Sequence, residues 1–432
     1  MKRLAVAALA LVLAANTAAD ARQRMRHHNS APPAAASAKW DVTADQRVED
    51  LNWLVDKLKA KYAYRDKKNI DFDQLKTNYR EAAEKAATPA AWLAVVEHMM
   101  AELYDHHATV GQNTATSPQL VPSGADIWAE LVNGKPTIVE VRASSVAARA
   151  GLKPGMTIAS INGQPVDKVI DDGVPQSLSM PDPEAGAYAL RVALAGNHVA
   201  RRSVNACTDR GCKSFVMAPV SDDGVIALVS WRKLDGNIGY IRIENSLGQK
   251  GTVRQFDAAL EQLADAKGLI LDLRNTPSGG DTDVAEPILG RFIEAPLSYQ
   301  RVFEPGSGRR FPQDSWTKDI DPREPPVKQP MVVLVDHWTG SMGEGLTVGL
   351  DAAKRATIVG TKMAGLLGGT SDFTLPHSHV PVKFPTERLY HVNGTPREDF
   401  KPEIWFDPTE ASTGSDPILA TGLAELKKKL GE

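Results

Sequence analysis

Residues 330–350 read Pro-Met-Val-Val-Leu-Val-Asp-His-Trp-Thr-Gly-Ser-Met-Gly-Glu-Gly-Leu-Thr-Val-Gly-Leu. Met331 to Val335 is a short unbroken apolar run, the pattern of a fully buried strand. Gly340 and Ser341 then turn the chain. Ser341 with Glu344 three residues on forms a capping box, so a helix is expected to start at Ser341. A strand, a tight turn and a Ser at a helix start together present a hydroxyl well. The strand holds its position, and the free N–H groups of the first helical turn favour negative charge beside it. The same pattern also serves as a plain N-cap, so the remaining chain has to decide between the two.

Working outward, the 432 residues suggest roughly two to three domains with ample material for cores. A formal net charge of −3 argues against a nucleic-acid binder. Met1-Lys2-Arg3 precedes the apolar run Leu4 to Ala15, and Ala19-Asp20-Ala21 fits a cleavage site, so residues 1–21 read as a secretory signal peptide. Residues 22–39 are a low-complexity tether. No other stretch approaches eighteen apolar residues, so a mature protein without a membrane span, periplasmic or secreted, is expected. In such an oxidising compartment Cys207 and Cys212, flanking an Asp/Gly turn, read as a disulfide that staples a hairpin.

Residues 40–112 carry helical signals. Thr43 to Gln46 is a capping box opening a helix with Val48, Leu51, Leu54, Val55 and Leu58 on one stripe, and Thr88-Pro89 opens another. This unit ends in Asp105-His106-His107, where the pattern turns to strand. Residues 118–221 look like a separate module. A strand at Thr137 to Val141, a short helix at Ser145 to Ala150, a strand at Thr157 to Ile161 and an Asn162-Gly163 hairpin turn precede a helical segment within 171–196 and the stapled hairpin at 203–220.

Residues 222–432 read as α/β. Ile238 to Ile243 and Gly268 to Leu273 are strands joined by an amphipathic helix from Thr252 to Ala266, which implies a right-handed βαβ unit. The loop Arg274-Asn-Thr-Pro-Ser-Gly-Gly-Asp281 follows, and then a helix through Ile293. A Gly279-Gly280 turn between strand and helix leaves backbone N–H groups approachable, as an oxyanion site requires, although a mere tight turn has the same composition. It lacks the Lys-Ser/Thr and the G-x-G-x-x-G spacing of phosphate loops. The polar, Pro-rich residues 296–329 read as a long excursion from the sheet, in a position to cover the site. A strand at Thr357 to Val359, a β-rich end and a helix from Asp416 to Leu430 complete the chain.

The string Ala150-Gly-Leu-Lys-Pro-Gly-Met-Thr-Ile-Ala-Ser-Ile-Asn-Gly-Gln-Pro-Val166 resembles a PDZ domain, which implies a groove that captures polypeptides, at a C-terminus or along an extended segment, by strand addition. Taken together, residues 40–432 resemble the C-terminal processing peptidase and tricorn core family of serine peptidases. The resemblance rests on a helical region, the PDZ-like module, a strand followed by D-L-R-N-x-P-x-G-G, a strand followed by Ser-x-x-Glu, and a Gly-Thr-x-x-x-Gly segment, in that order. It implies a crotonase-like catalytic core of mixed α/β build.

The family has two catalytic plans. In the processing branch a Lys follows the nucleophile by twenty-five residues; here that position is Leu366, and Lys362 stands four residues early. The tricorn-like branch supplies a His from before the PDZ domain, and Asp105-His106-His107 matches its D-x-H string. The resemblance therefore implies Ser341 as nucleophile, His107 as base and Glu398, from Gly394-Thr-Pro-Arg-Glu398, as the orienting acid. Gly280 or Gly279 together with Met342 would form the oxyanion hole. This plan needs neither a metal ion nor another cofactor, and its partners are polypeptide substrates. Two competing readings stay open at this point: a catalytically inactive scaffold of the same build that binds peptides or hydrophobic ligands, and a PDZ adaptor without chemistry.

Overall fold

A computed structural model describes residues 40–221, 227–306, 308–407 and 416–432, of which residues 43 onward belong to one compact unit. The expected signal peptide and tether lie outside the described residues.

The site is built on a six-stranded sheet. Its strands are β8 (Val229–Leu234), β9 (Ile238–Ile243), β10 (Gly268–Asp272), β13 (Met331–Val335), β14 (Ala356–Gly360) and β17 (Ile404–Trp405), in the spatial order β17-β14-β13-β10-β9-β8. All pairings are parallel except the β8–β9 hairpin. Every residue of β10 and β13 is buried, as apolar runs covered on both faces require. One face is covered by helices α7 (Gly251–Gln262), α8 (Thr282–Gly290) and α9 (Met342–Ala352), and the other by the terminal helix α10 (Pro417–Leu430), whose Ile418 and Leu426 pack on Ile270, Val332 and Leu334. The expected βαβ unit, the Ser341 helix and the last helix are all present.

Residues 296–329 depart from the expectation. They supply β11 (Leu297–Phe303) and β12 (Trp316–Ile320), which pair antiparallel and join β1 (Thr109–Val110), β15 (Gly369–Thr374) and β16 (Pro381–His391) in a second sheet. Only Ile320 of β12 is buried, so the strand has no alternating apolar signal to read. The segment after β12 does not cover the site. Arg323 and Val327 instead donate their N–H groups to Gly290 and Arg291, at the C-terminal end of α8.

The N-terminal helices are α1 (Ala44–Lys61), α2 (Phe72–Lys85) and α3 (Pro89–Ala101), with the capping box at Thr43 and the Thr88 cap both formed. A third, antiparallel sheet contains β2 (Ile127–Val132), β3 (Lys135–Val141), β4 (Thr157–Ile161), β6 (Arg202–Thr208) and β7 (Gly211–Met217), in the order β2-β3-β4-β6-β7, with β5 (Gln164–Pro165) paired to β4. Between its strands come α4 (Val146–Ala150), α5 (Val166–Gly173) and α6 (Pro183–Ala195). Cys207 and Cys212 face each other across β6 and β7 and are joined as a disulfide.

Candidate active site

Strands β10, β13 and β14 run side by side, with Asp272 opposite Leu334 and Val335 opposite Gly360, so the loops 273–281, 336–341 and 361–368 leave the same edge of the sheet. This is where open α/β sheets place their ligands. Backbone bonds lace the loops together beyond the strands. Gly340 N–H donates to Thr276 O at 3.2 Å, and Ala364 N–H donates to Thr339 O at 3.0 Å. The Thr339 hydroxyl donates to Leu273 O at 3.1 Å.

Ser341 ends the middle loop with φ 49° and ψ −109°, a conformation rarely adopted by a residue with a side chain. Such strain costs on the order of 1–3 kcal/mol and persists only where surroundings impose it. Here Glu344, fully buried, accepts the Ser341 N–H at 2.8 Å. The next turn closes on the first loop because residue 343 is Gly: a β-carbon there would lie 2.2 Å from the Thr276 hydroxyl oxygen. The outcome is a Ser341 side chain held at the start of α9, as the cap of its first turn.

Gly279 lies directly against this turn. Its own N–H donates to Thr276 O at 3.0 Å. The N–H groups of Gly280 and Met342 have no acceptor among the described residues. The three expected oxyanion donors therefore separate into two that are bare and one that is engaged; Gly279 contributes its lack of a side chain.

His107 arrives from the far side of the chain. Asp105 shapes its turn: one carboxylate oxygen accepts the His107 N–H at 2.9 Å, and the other accepts the Tyr62 hydroxyl at 3.0 Å. Burial raises the Asp105 pKa to about 6. His107 Nδ1 lies 2.6 Å from Leu367 O. A carbonyl only accepts, so Nδ1 carries the proton and Nε2 is left with its lone pair. Burial, and then the Arg397 charge, lower the His107 pKa to about 4, which keeps the ring neutral at neutral pH.

The third loop connects the surroundings of His107 to those of Ser341. Arg397 donates to Leu366 O at 2.9 Å and to Gly368 O at 3.0 Å, so it brackets the carbonyl that holds His107. Glu344 accepts the Gly365 N–H at 2.9 Å on one oxygen while the other holds Ser341, and Arg397 lies 3.7 Å from it. Burial raises the Glu344 pKa to about 7. No hydrogen bond joins Ser341 Oγ to His107 in this state.

The neighbouring His and the expected acid are engaged elsewhere. His106, the neighbour of the expected base, accepts a hydrogen bond from Arg191 Nε at 3.0 Å and stacks on Tyr188, so it is committed to α6. Glu398 does not reach His107. Its Oε2 is buried without a hydrogen-bond partner, and burial raises its pKa. Arg397, one residue earlier, reaches Leu366 O and Gly368 O, and the ring is oriented by the Leu367 carbonyl between them. Leu366, where a Lys would stand in the processing branch, is buried beside Trp338 and Ala364 in an apolar cluster, and Lys362 is exposed.

Sequence reasoning missed Arg397 and the Leu367 carbonyl, and it preferred Glu344 as a cap over Glu344 as a rival acid. An Arg next to the expected acid, in a Pro-bounded turn, was the one available signal for Arg397.

Residues 237–404 match the model of peptidase family S41. The chain is 26% identical over 329 residues to the carboxyl-terminal-processing protease of Synechocystis sp. (strain ATCC 27184 / PCC 6803 / Kazusa), a match covering 74% of this chain and 67% of that one. It is 25% identical over 308 residues to the carboxy-terminal processing protease CtpA of Bacillus subtilis (strain 168), covering 69% of this chain and 59% of the relative. The fold is similar to that of a photosystem II D1 C-terminal processing protease, with a TM-score of 0.55 at 16% identity over 88% of this chain and 96% of that one. It is also similar to mature CPAF, with a TM-score of 0.57 at 15% identity over 89% of this chain and 96% of that one. The class is thus a serine-type peptidase of mixed α/β fold. More narrowly, the chain carries a peptidase family S41 domain and is a homologue of the carboxyl-terminal processing proteases.

Proposed function

We propose that the protein is an exported serine endopeptidase working through an acyl-enzyme, with Ser341 as nucleophile and His107 as base. The observation that carries this reading is the strained turn that holds Ser341 against Gly279, next in sequence to the N–H groups of Gly280 and Met342, which have no acceptor among the described residues. His107 Nε2, left bare because Nδ1 donates to Leu367 O, takes the Ser341 proton as Oγ bonds to the scissile carbonyl carbon. The carbonyl oxygen becomes an oxyanion between the two N–H donors. Nε2 then returns the proton to the leaving amine as the C–N bond breaks. Water, deprotonated by the same nitrogen, then bonds to the acyl carbon, and the C–Oγ bond breaks as Nε2 returns the proton to Ser341 Oγ. In this proposal Leu367 orients the imidazole and Glu398 does not. Substrate binding has to bring Oγ and Nε2 into hydrogen-bond contact, as catalytic pairs that are loose without substrate do.

The His plan is favoured over the Lys plan because Leu366 is buried in an apolar cluster and Lys362 is exposed. Residues 118–221 are read as a PDZ-like domain that recruits or gates polypeptides. What supports this is that β2 lies at a sheet edge, paired on one side only by β3, with α6 packed beside it. Export agrees with the Cys207–Cys212 disulfide. The test is replacement of Ser341 by Ala. Cleavage of an unstructured polypeptide and labelling by a serine-directed phosphonate should both vanish, and persistence of either would refute the assignment.

A further inference from the structure

Glu140 lies on β3 of the small sheet, outside the catalytic core, and is buried together with His337 and Thr361. One oxygen of its carboxylate, Oε2, meets both of them. It pairs with His337 Nδ1 at 2.5 Å and accepts the Thr361 hydroxyl at 3.0 Å. Trp128, opposite Glu140 on β2, stacks on the His337 ring with centroids 4.6 Å apart and planes 24° apart. Two cross-strand neighbours thus hold His337, one by its edge and one by its face.

The positions of the partners give the contact its meaning. His337 stands at the root of the loop that ends in Ser341. Thr361 opens the loop whose Leu367 carbonyl holds His107 and whose Gly365 N–H binds Glu344. Glu344 ties the far ends of these loops, through Ser341 N–H and Gly365 N–H. Glu140 ties their roots. Burial raises the Glu140 pKa and the Thr361 hydroxyl opposes that rise, while burial lowers that of His337. Both groups are buried and bonded to each other, so removing either leaves the other's polar atom unsatisfied at a cost.

We propose that Glu140 is a positioning residue for this peptidase, setting the spacing of Ser341 and His107 through His337 and Thr361. This rests on the Ser341–His107 reading above. The neighbouring small-sheet module thereby contributes a side chain to the geometry of the reacting pair without touching substrate.

The test compares Glu140→Leu, which keeps the volume but accepts no hydrogen bond, with Glu140→Gln, whose one carbonyl oxygen can accept from both partners. Misplacement of reacting groups by about an ångström can cost about a hundredfold in rate, so Glu140→Leu should lower kcat and the phosphonate labelling rate at least about tenfold. Its KM for an unstructured polypeptide should stay within about twofold, because binding groups are untouched, and Glu140→Gln should stay near wild type. Hydrogen exchange should show segments 336–341 and 361–368 losing protection together in the Leu variant and not in the Gln variant. Wild-type labelling by a folded Glu140→Leu protein would overturn the proposal. So would equal losses in Leu and Gln that track a lowered Tm, since that marks core packing alone. If the wild type itself is not labelled at Ser341, the peptidase reading fails, and the exchange data still report separately whether Glu140 joins the two loops.

Discussion

Gly279 and Ser341 are packed so closely that a β-carbon at 279 would lie 2.4 Å from the Ser341 β-carbon and 2.9 Å from its hydroxyl oxygen. It would also lie 2.8 Å from Met342 N, and Gly279 has φ +63°, which favours Gly in any case. Gly279→Ala therefore has to push Ser341, Met342 N or both, the proposed nucleophile and oxyanion donor, out of place. Loss of a single oxyanion donor costs about a hundredfold or more, and kcat should fall by at least that much. Steady-state kinetics beside a thermal melt separate this from unfolding: a folded variant with near-normal kcat would show that the close approach is irrelevant to the chemistry.

The two adjacent histidines should behave differently. His107 is held through Nδ1 by Leu367 O, whereas His106 is bound to Arg191 and stacked on Tyr188. His107→Ala should reduce labelling of Ser341 by about a hundredfold or more, the usual scale of general-base catalysis. His106→Ala should leave labelling within a few-fold and lower Tm instead. The reverse ranking would move the base by one residue.

Acid sensitivity follows from burial. With its pKa held at about 4, His107 stays neutral well below the ordinary value of about 6.5, so the acid limb of kcat/KM should fall near pH 4. The folded pKa lies below the unfolded one, so the folded state binds fewer protons between these values and loses stability as pH drops through that window. Glu344 has the opposite sign. Raised to about 7, its contribution is complete below its unfolded value of about 4.5 and is lost as pH rises through about 7. A pH–rate profile locates the first limb, and one centred on 6.5 would contradict the burial argument. Tm against pH tests the second: Glu344→Gln should flatten the alkaline decline.

Arg397 and Glu398 are neighbours in sequence with different consequences on replacement. Arg397 brackets the Leu367 carbonyl through Leu366 O and Gly368 O, while Glu398 makes no hydrogen bond to His107. Arg397→Ala is expected to lower both Tm and kcat, since removal leaves two buried carbonyls and the Glu344 carboxylate without a charged partner. Glu398→Gln should change kcat by less than about threefold. A hundredfold fall on Glu398→Gln would restore the acid to a triad, the usual scale for removing a general acid–base partner.

The strands and helices that frame the site were legible because burial writes them plainly. Met331 to Val335 is apolar throughout, Ser341 and Glu344 have cap spacing, and Gly279-Gly280 marks a close approach. What stayed hidden depends on contacts distant in sequence. Nothing local links Arg397 to Leu366 and Gly368, or Glu140 to His337 and Thr361, and a backbone carbonyl such as that of Leu367 leaves no trace in residue identity. The segment 296–329 failed for another reason: β12 buries only Ile320, so a strand looked like a polar excursion.

The positive φ of Ser341 has a consequence beyond catalysis. Gly alone would adopt that backbone at no cost, so the residue proposed as nucleophile is also one the fold would rather not have. Replacement of Ser341 by Gly should raise Tm while abolishing turnover, whereas Ala should abolish turnover and keep the strain. Selection on stability alone would therefore erode this position. The side chain at this position is thus one that the stability of the fold does not ask for.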